Sequence, residues 1–290
     1  MNNSMQNVKI DGLVLEGGAM RGMYTAGILD TLIEAGIESK SVVGVSAGAL
    51  FGVNYLSKQV GRVVRYNKRF NSDKNYLGIK PLVKEGNIVD TDYAYRRVPH
   101  ELDPFDDETF KASDGKFTAV VTNIDTAEAE YIPIESVFDQ MDTLRASGSM
   151  PVVSRPVEID GKKYLDGAIS DSIPFEWMLE TGAQKVVVVL TRDITYVKKP
   201  WSPLICNFYK RKYPLFSAKM ADRHNLYNGQ IEKLKELEKE GRVFIIRPSQ
   251  PITISRTESD PDKLQSVYEL GISDMKKCMD DLVKYLEKQN

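Results

Sequence analysis

Ser46 lies at the centre of Gly44-Val45-Ser46-Ala47-Gly48, a G-x-S-x-G run whose residue types suit a nucleophilic serine. Ser41-Val42-Val43 before it are strand formers, and Ala47 to Leu56 after it carry apolar residues at roughly helical spacing. The serine is therefore expected at a strand-to-helix turn. Such a turn strains the central residue and lifts its hydroxyl clear of the sheet, while Gly44 and Gly48 let strand and helix approach closely. The helix that follows aims its unpaired N–H groups at the same point. Taken alone the pattern also fits an ordinary glycine-rich turn.

A second glycine loop, Glu16-Gly17-Gly18-Ala19-Met20-Arg21-Gly22, follows the apolar strand Gly12-Leu13-Val14-Leu15 and opens a helix over Met23 to Ala35. Its clustered N–H groups make a site for negative charge. The spacing is not the G-x-G-x-x-G fingerprint of dinucleotide sites, and the lysine followed by serine or threonine of a P-loop is missing. The competing reading is an oxyanion hole, with N–H groups from Gly17 and Gly18 and with Arg21 fixing the loop or adding positive charge. Strand, glycine turn, helix, strand, serine turn and helix make a βαβα unit. That order implies parallel strands with both turns at the carboxyl edge of one sheet.

A G-G-x-x-R-G loop about twenty-five residues ahead of a G-x-S-x-G elbow resembles the patatin-like phospholipase family, its bacterial members in particular. The resemblance implies a serine–aspartate dyad without histidine, and so a D-G-[GA] further along. Asp166-Gly167-Ala168 supplies it, and Ala146-Ser147-Gly148-Ser149-Met150-Pro151 is similar to a segment the family carries upstream of its aspartate. These matches, spread over residues 12 to 175, imply a three-layer α/β sandwich with a mainly parallel central sheet. They also imply an acyl hydrolase acting on lipid carboxylic esters of the phospholipid or lysophospholipid class. Two positions depart from the family pattern. Ala19 stands where a third glycine is common; its N–H remains for the oxyanion hole unless the position needs positive φ. Ser172 stands near a common asparagine, in the loop that holds the aspartate.

The dyad is chemically reasonable. Asp166 would take the proton of Ser46 during attack on an ester carbonyl and then activate the water that clears the acyl-enzyme. An exposed aspartate, with a reference pKa of about 3.9, is a feeble base, so this one is expected in a partly buried place. Neither a metal nor a cofactor is required by this chemistry. The alternatives are a Ser-His-Asp esterase using His100 or His224, and a catalytically silent binding module on the same loops.

The elements that must position these groups spread over 290 residues, 42% hydrophobic and 28% charged with net charge −2, a composition with room for a large core and with no global lean toward nucleic acid. Cys206 and Cys278 lie far apart, and with two histidines in the chain a multi-ligand metal site is not expected. Residues 1–9 lack a signal-type pattern and no long apolar run follows, so the chain is read as cytoplasmic. A family-type core is expected over 10–191, with a helix-rich C-terminal extension over 192–290 packed on the same domain. Strands are expected at Phe117–Asn123, Glu130–Ile134, Lys185–Leu190 and Val243–Ile246, and helices at Ser136–Ala146, Phe175–Thr181 and Asp262–Lys288. Pro99 to Pro104 reads as loop. Arg62, Arg65, Lys68 and Arg69 form a basic helical segment, read as a solvated face or a contact for anionic head groups. Residues 194–221 interleave Lys198, Lys199, Lys210, Arg211, Lys212 and Lys219 with aromatics. That mixture suits either a packed lid or peripheral contact with a membrane.

Overall fold

The computed structural model describes residues 9–288, so the reading of residues 1–8 lies outside the described residues. One sheet contains β1 (Lys9–Leu15), β2 (Glu38–Val45), β3 (Lys116–Asn123), β4 (Ala129–Ile134), β5 (Val157–Ile159), β6 (Lys162–Asp166), β7 (Val186–Val189) and β8 (Val243–Ile246). Its helices are α1 (Met23–Glu34), α2 (Ala47–Leu56), α3 (Arg62–Phe70), α4 (Ile79–Glu85), α5 (Asp107–Lys111), α6 (Met141–Ser147), α7 (Phe175–Glu180), α8 (Pro203–Lys210), α9 (Pro214–Lys239) and α10 (Pro261–Glu287). Short 3₁₀ turns cover Ala19–Gly22 and Gly167–Ile169.

Strands β3, β2, β1, β7 and β8 are parallel neighbours in that order. Strands β4 and β6 pair antiparallel with β3, and β5 pairs antiparallel with β6. The central strands are strongly apolar because both faces are covered. Leu13, Leu15, Val187 and Val189 pack with Tyr24, Ile28 and Leu264 on one face, and Val14, Val186 and Val188 pack with Phe175, Met178 and Leu234 on the other. The sheet is thus mixed and mostly parallel, between two helical layers, as the sequence implied.

β3 has two edges, and their use decides where the site falls. Val121 and Thr122 pair at once with Glu130 and Ala129 of β4 and with Asp166 and Leu165 of β6. β6 therefore lies on the edge that β2 occupies lower down, where Val45 faces Val120. The carboxyl ends of β2 and β6 meet head to head.

The C-terminal helix is fastened to the first one. A side-chain carbon added to Gly27 of α1 would fall 2.2 Å from the Tyr268 carbonyl oxygen, and one added to Gly271 of α10 the same 2.2 Å from that of Tyr24. The two backbones can touch only with glycine at this crossing. β8 extends the sheet beyond β7, with Val243 opposite Val186.

Three expectations are corrected. Of the stretch Pro99 to Pro104 read as loop, only Asp103 and Pro104 are loop; Pro99 to Leu102 belong to a π-helical run, Tyr93–Leu102. Pro99 has no N–H and its ring would collide with a carbonyl one α-turn back, so the wider turn, closed by Asp103 N–H on Val98 O at 2.9 Å, accommodates it. The helix expected from Ser136 begins only at Met141, because the Asp107 carboxylate holds the Ser136 hydroxyl at 2.9 Å and the Val137 N–H at 2.7 Å. On the basic face of α3 only Arg62 departs from a solvated face: it is buried on the Asp103 carbonyl at 2.7 Å and Asn54 Oδ1 at 2.9 Å, whereas Arg65, which grips the Asp103 carboxylate with two bonds of 2.7 Å, and Arg69 are exposed.

Candidate active site

Ser46 occupies the turn between β2 and α2 with φ 55° and ψ −122°. A non-glycine residue held there stores roughly 1–3 kcal/mol of backbone strain, which the surrounding structure must impose. Part of that constraint is Ser147, fully buried, whose hydroxyl accepts the Ser46 N–H at 2.9 Å and donates to the Val120 carbonyl at 2.7 Å. Gly48 makes the elbow tight, since a side chain there would begin 2.4 Å from the Leu15 carbonyl oxygen, and Gly44 packs directly against it.

The Ser46 hydroxyl donates to Asp166 Oδ2 at 2.7 Å, with no group between them. Asp166 ends β6; its other carboxylate oxygen accepts the Ala168 N–H at 2.9 Å, and its own N–H is held by the Ser149 carbonyl at 2.9 Å. Burial pushes its carboxyl above the ordinary aspartate range, against the hydrogen bonds from Ser46 and Ala168 and the positive charge of Arg223 and Arg256. Ser172 secures the loop in the place of the family's common asparagine, its hydroxyl donating to the Ala168 carbonyl at 2.8 Å.

The glycine loop closes over the serine. Gly17 lies against Ser46, a side-chain carbon on it falling 2.9 Å from Ser46 Cβ. Gly17, Gly18, Ala19 and Arg21 line the same chamber as Ser46 and Asp166. Among the described residues the N–H groups of Gly17, Gly18 and Ala19 have no acceptor in the protein, which leaves them open to an oxyanion. Ala19 does take positive φ, 49°. It does so with its N–H retained, so the departure from glycine costs strain and not a donor. Thr191, just past β7, steadies the loop from behind, its N–H on Glu16 Oε2 at 2.6 Å and its hydroxyl 3.1 Å from both Glu16 Oε2 and the Gly17 carbonyl.

Two cavities meet at Ser46. One, of about 160 Å³, is lined chiefly by apolar side chains such as Leu50, Phe51, Tyr66, Val89, Val98 and Leu144. The other, of about 60 Å³, is polar, and Arg21, Arg192, Lys198, Arg223 and Arg256 reach its wall beside Glu16. Desolvation and the neighbouring guanidiniums lower Lys198 to about 6 and Arg21 to about 10. Neither histidine lines either cavity. His100 is exposed and stacks on Phe138 at 4.1 Å, and His224 is half-buried on α9 with Nδ1 3.0 Å from the Ala221 carbonyl oxygen.

Sequence reasoning singled out Ser46, Asp166 and the glycine loop, and the fold brings all of them to one point. Ser147 was noted only as part of a similar segment, and Thr191 was missed although it follows closely on the apolar run of β7. Lys198 was grouped with surface lysines, and Arg192, Arg223 and Arg256 carry no local pattern; only the folded chain gathers them.

Residues 13–179 match the model of a patatin-like phospholipase family, and residues 213–287 match a domain of unknown function, DUF6363. The chain is similar to the uncharacterized protein YjjU of Escherichia coli, 26% identical over 273 residues, covering 89% of this chain and 74% of YjjU. It is similar to the probable lipid hydrolase 463L of Invertebrate iridescent virus 6, 24% identical over 207 residues, covering 63% of this chain and 71% of that protein. It is also similar to the neuropathy target esterase sws of Drosophila melanogaster, 28% identical over 257 residues, which cover 82% of this chain and 17% of that much longer protein.

Proposed function

We propose that this chain, which belongs to the patatin-like phospholipase family, is a serine acyl hydrolase that cleaves carboxylic esters of lipids through Ser46 and Asp166. The observation that carries the reading is the 2.7 Å bond from the Ser46 hydroxyl to the Asp166 carboxylate where an apolar cavity and a polar one join. The apolar cavity suits an acyl chain, and the polar one suits the alcohol side of the ester.

In this reading Ser46 Oγ attacks the ester carbonyl carbon while its proton passes to Asp166 Oδ2. The carbonyl oxygen becomes an oxyanion that accepts from the free N–H groups of Gly17, Gly18 and Ala19, each donor contributing roughly 2.7–4 kcal/mol in comparable sites. Collapse breaks the ester bond, and the departing alkoxide takes the proton from Asp166. Water then attacks the acyl-enzyme, losing its proton to Asp166, which returns it to Ser46 Oγ as the fatty acid leaves. Burial of the carboxyl supplies the basicity that an exposed aspartate lacks. The test is fatty-acid release from an acyl ester: Ser46→Ala and Asp166→Asn should each lower kcat by about a thousandfold or more. Parent-like rates in both variants would refute both assignments.

α8 is the part of residues 194–221 suited to a lipid surface. Leu204 is 83% exposed, Phe208 69% and Leu215, in the first turn of α9, 59%, with exposed Lys210, Arg211 and Lys212 beside them. Apolar tips flanked by cations favour the interface of an anionic bilayer. The helix is tied to the site, because the Tyr209 hydroxyl accepts the Val152 N–H at 2.9 Å next to Met150 and Pro151 of the polar chamber. Partition onto anionic vesicles should fall when Lys210, Arg211 and Lys212 are neutralised or Leu204 and Phe208 are made polar. Unchanged partition in both would remove the contact.

A further inference from the structure

The polar chamber beside Ser46 is built to hold negative charge. Five cationic side chains, Arg21, Arg192, Lys198, Arg223 and Arg256, line it against two carboxylates, Glu16 and Asp166. Glu16 is engaged by Thr191 and Asp166 by Ser46 and Ala168. Among the described residues none of the five cations forms an ion pair; Arg223 Nε donates to the Ala168 carbonyl, Arg256 is exposed at the chamber's mouth, and the buried Arg21 Nε has no acceptor at all. Gathering like charges in a recess is unfavourable unless an anion completes the set. The depressed Lys198 follows from the same crowding of cations in a desolvated place.

The aromatic rings here are already covered from within. Arg192 lies 4.1 Å from the Tyr196 ring centre, Lys198 3.9 Å from that of Tyr227 and Arg223 5.6 Å from that of Trp201. A quaternary ammonium group needs open aromatic faces and would meet like charge instead. The free volume, about 60 Å³, is room for on the order of four water-sized groups, enough for a compact oxyanion. Four of the five cations follow residue 179, beyond the stretch shared with the family, and Arg223 and Arg256 belong to the segment matching DUF6363.

We propose that this chamber binds a terminal phosphate group, so that the chain acts on acyl esters bearing a phosphate monoester in preference to choline-capped or uncharged ones. The inference rests on the hydrolase reading above and narrows its substrate. Guanidinium groups grip phosphate oxygens with charge-assisted bonds, and the C-terminal segment thereby becomes the part of the chain that selects the head group.

The experiment compares kcat/KM for a 1-acylglycerol 3-phosphate with that for the same-chain 1-acylglycerophosphocholine and 1-acylglycerol, in the full chain and in its Arg256→Gln and Lys198→Gln variants. The phosphate monoester should be favoured about tenfold or more, and each variant should reduce that ratio about fivefold or more. Equal rates on the choline ester, or ratios unmoved in both variants, overturn the proposal. Inorganic phosphate added against the uncharged ester identifies the source of the anion. Inhibition that the variants lose means the chamber also takes free phosphate, and a preference without inhibition means it reads phosphate only on the lipid. If no ester is turned over, the hydrolase reading fails separately, and calorimetry with glycerol 3-phosphate decides. Binding that is weakened in both variants supports the chamber; no binding, or binding unmoved in both variants, overturns it.

Discussion

Asp166 occupies the place beside β3 that Ser46 would fill if β2 ran one residue further: Val45 faces Val120, and Asp166 faces the next residue, Val121. The two side chains meet because two strands running in opposite directions stop at the same point on a third. Their 2.7 Å contact follows from backbone pairing and not from a flexible loop.

That placement sets a pH dependence. Burial holds the Asp166 carboxyl above the ordinary aspartate range, and it must be ionised to accept the serine proton. kcat/KM should therefore fall as pH drops through a value above about 3.9, the reference for an exposed aspartate. Substituting His100 or His224 should leave the acid limb in place, which a pH–rate profile reads directly.

Stability should respond with the opposite sign. A carboxyl whose folded pKa is raised binds its proton more tightly in the native state. Its ionisation is thus a penalty, absent below the unfolded pKa and complete above the folded one. Asp166→Asn keeps the shape and removes the charge, so its denaturant midpoint near neutral pH should lie above the parent's, and the difference should vanish in acid. An Asn variant less stable at neutral than at acid pH, relative to the parent, contradicts this.

Ser147 holds the strained elbow. Ser147→Ala leaves the Ser46 N–H and the Val120 carbonyl without partners, at a cost of about 1–3 kcal/mol for each buried group. Urea unfolding should show that loss. Turnover should fall about tenfold or more as the nucleophile loses its fixed geometry.

Ala19 at φ 49° is strained where glycine would not be. Ala19→Gly should relieve about 1–2 kcal/mol of that strain and give back part of it through a freer unfolded chain. The expected result is a midpoint equal to or slightly above the parent's with activity retained, since the N–H remains.

The crossing of α1 and α10 is the sensitive point of the C-terminal half. Gly271→Ala forces a carbon to within 2.2 Å of the Tyr24 carbonyl oxygen, and overpacking of this kind costs about 1–3 kcal/mol. A midpoint unchanged in urea would show that the helices separate without penalty.

What the sequence made legible was local. The elbow at Ser46, the glycine loop and the strands at 116–123 and 186–189 announce themselves through turn chemistry and apolar runs, because short-range sterics and two-sided burial dictate them. Asp166 became visible through family likeness, since an aspartate before glycine is by itself an ordinary turn residue. The rest depends on distant partners. Nothing near Arg62 indicates that carbonyls some forty residues later will bury it, nor anything near Arg223 and Arg256 that they will turn toward the serine. The π-helical run around Pro99 is likewise settled by tertiary accommodation and not by composition.

The central claim is that Ser46 is activated by Asp166, and covalent labelling by a fluorophosphonate ester tests it most directly. Intact-mass and peptide analysis should find one adduct, on Ser46, formed about a hundredfold or more slowly in Asp166→Asn. An adduct on another residue, or an undiminished rate in the Asn variant, would contradict it.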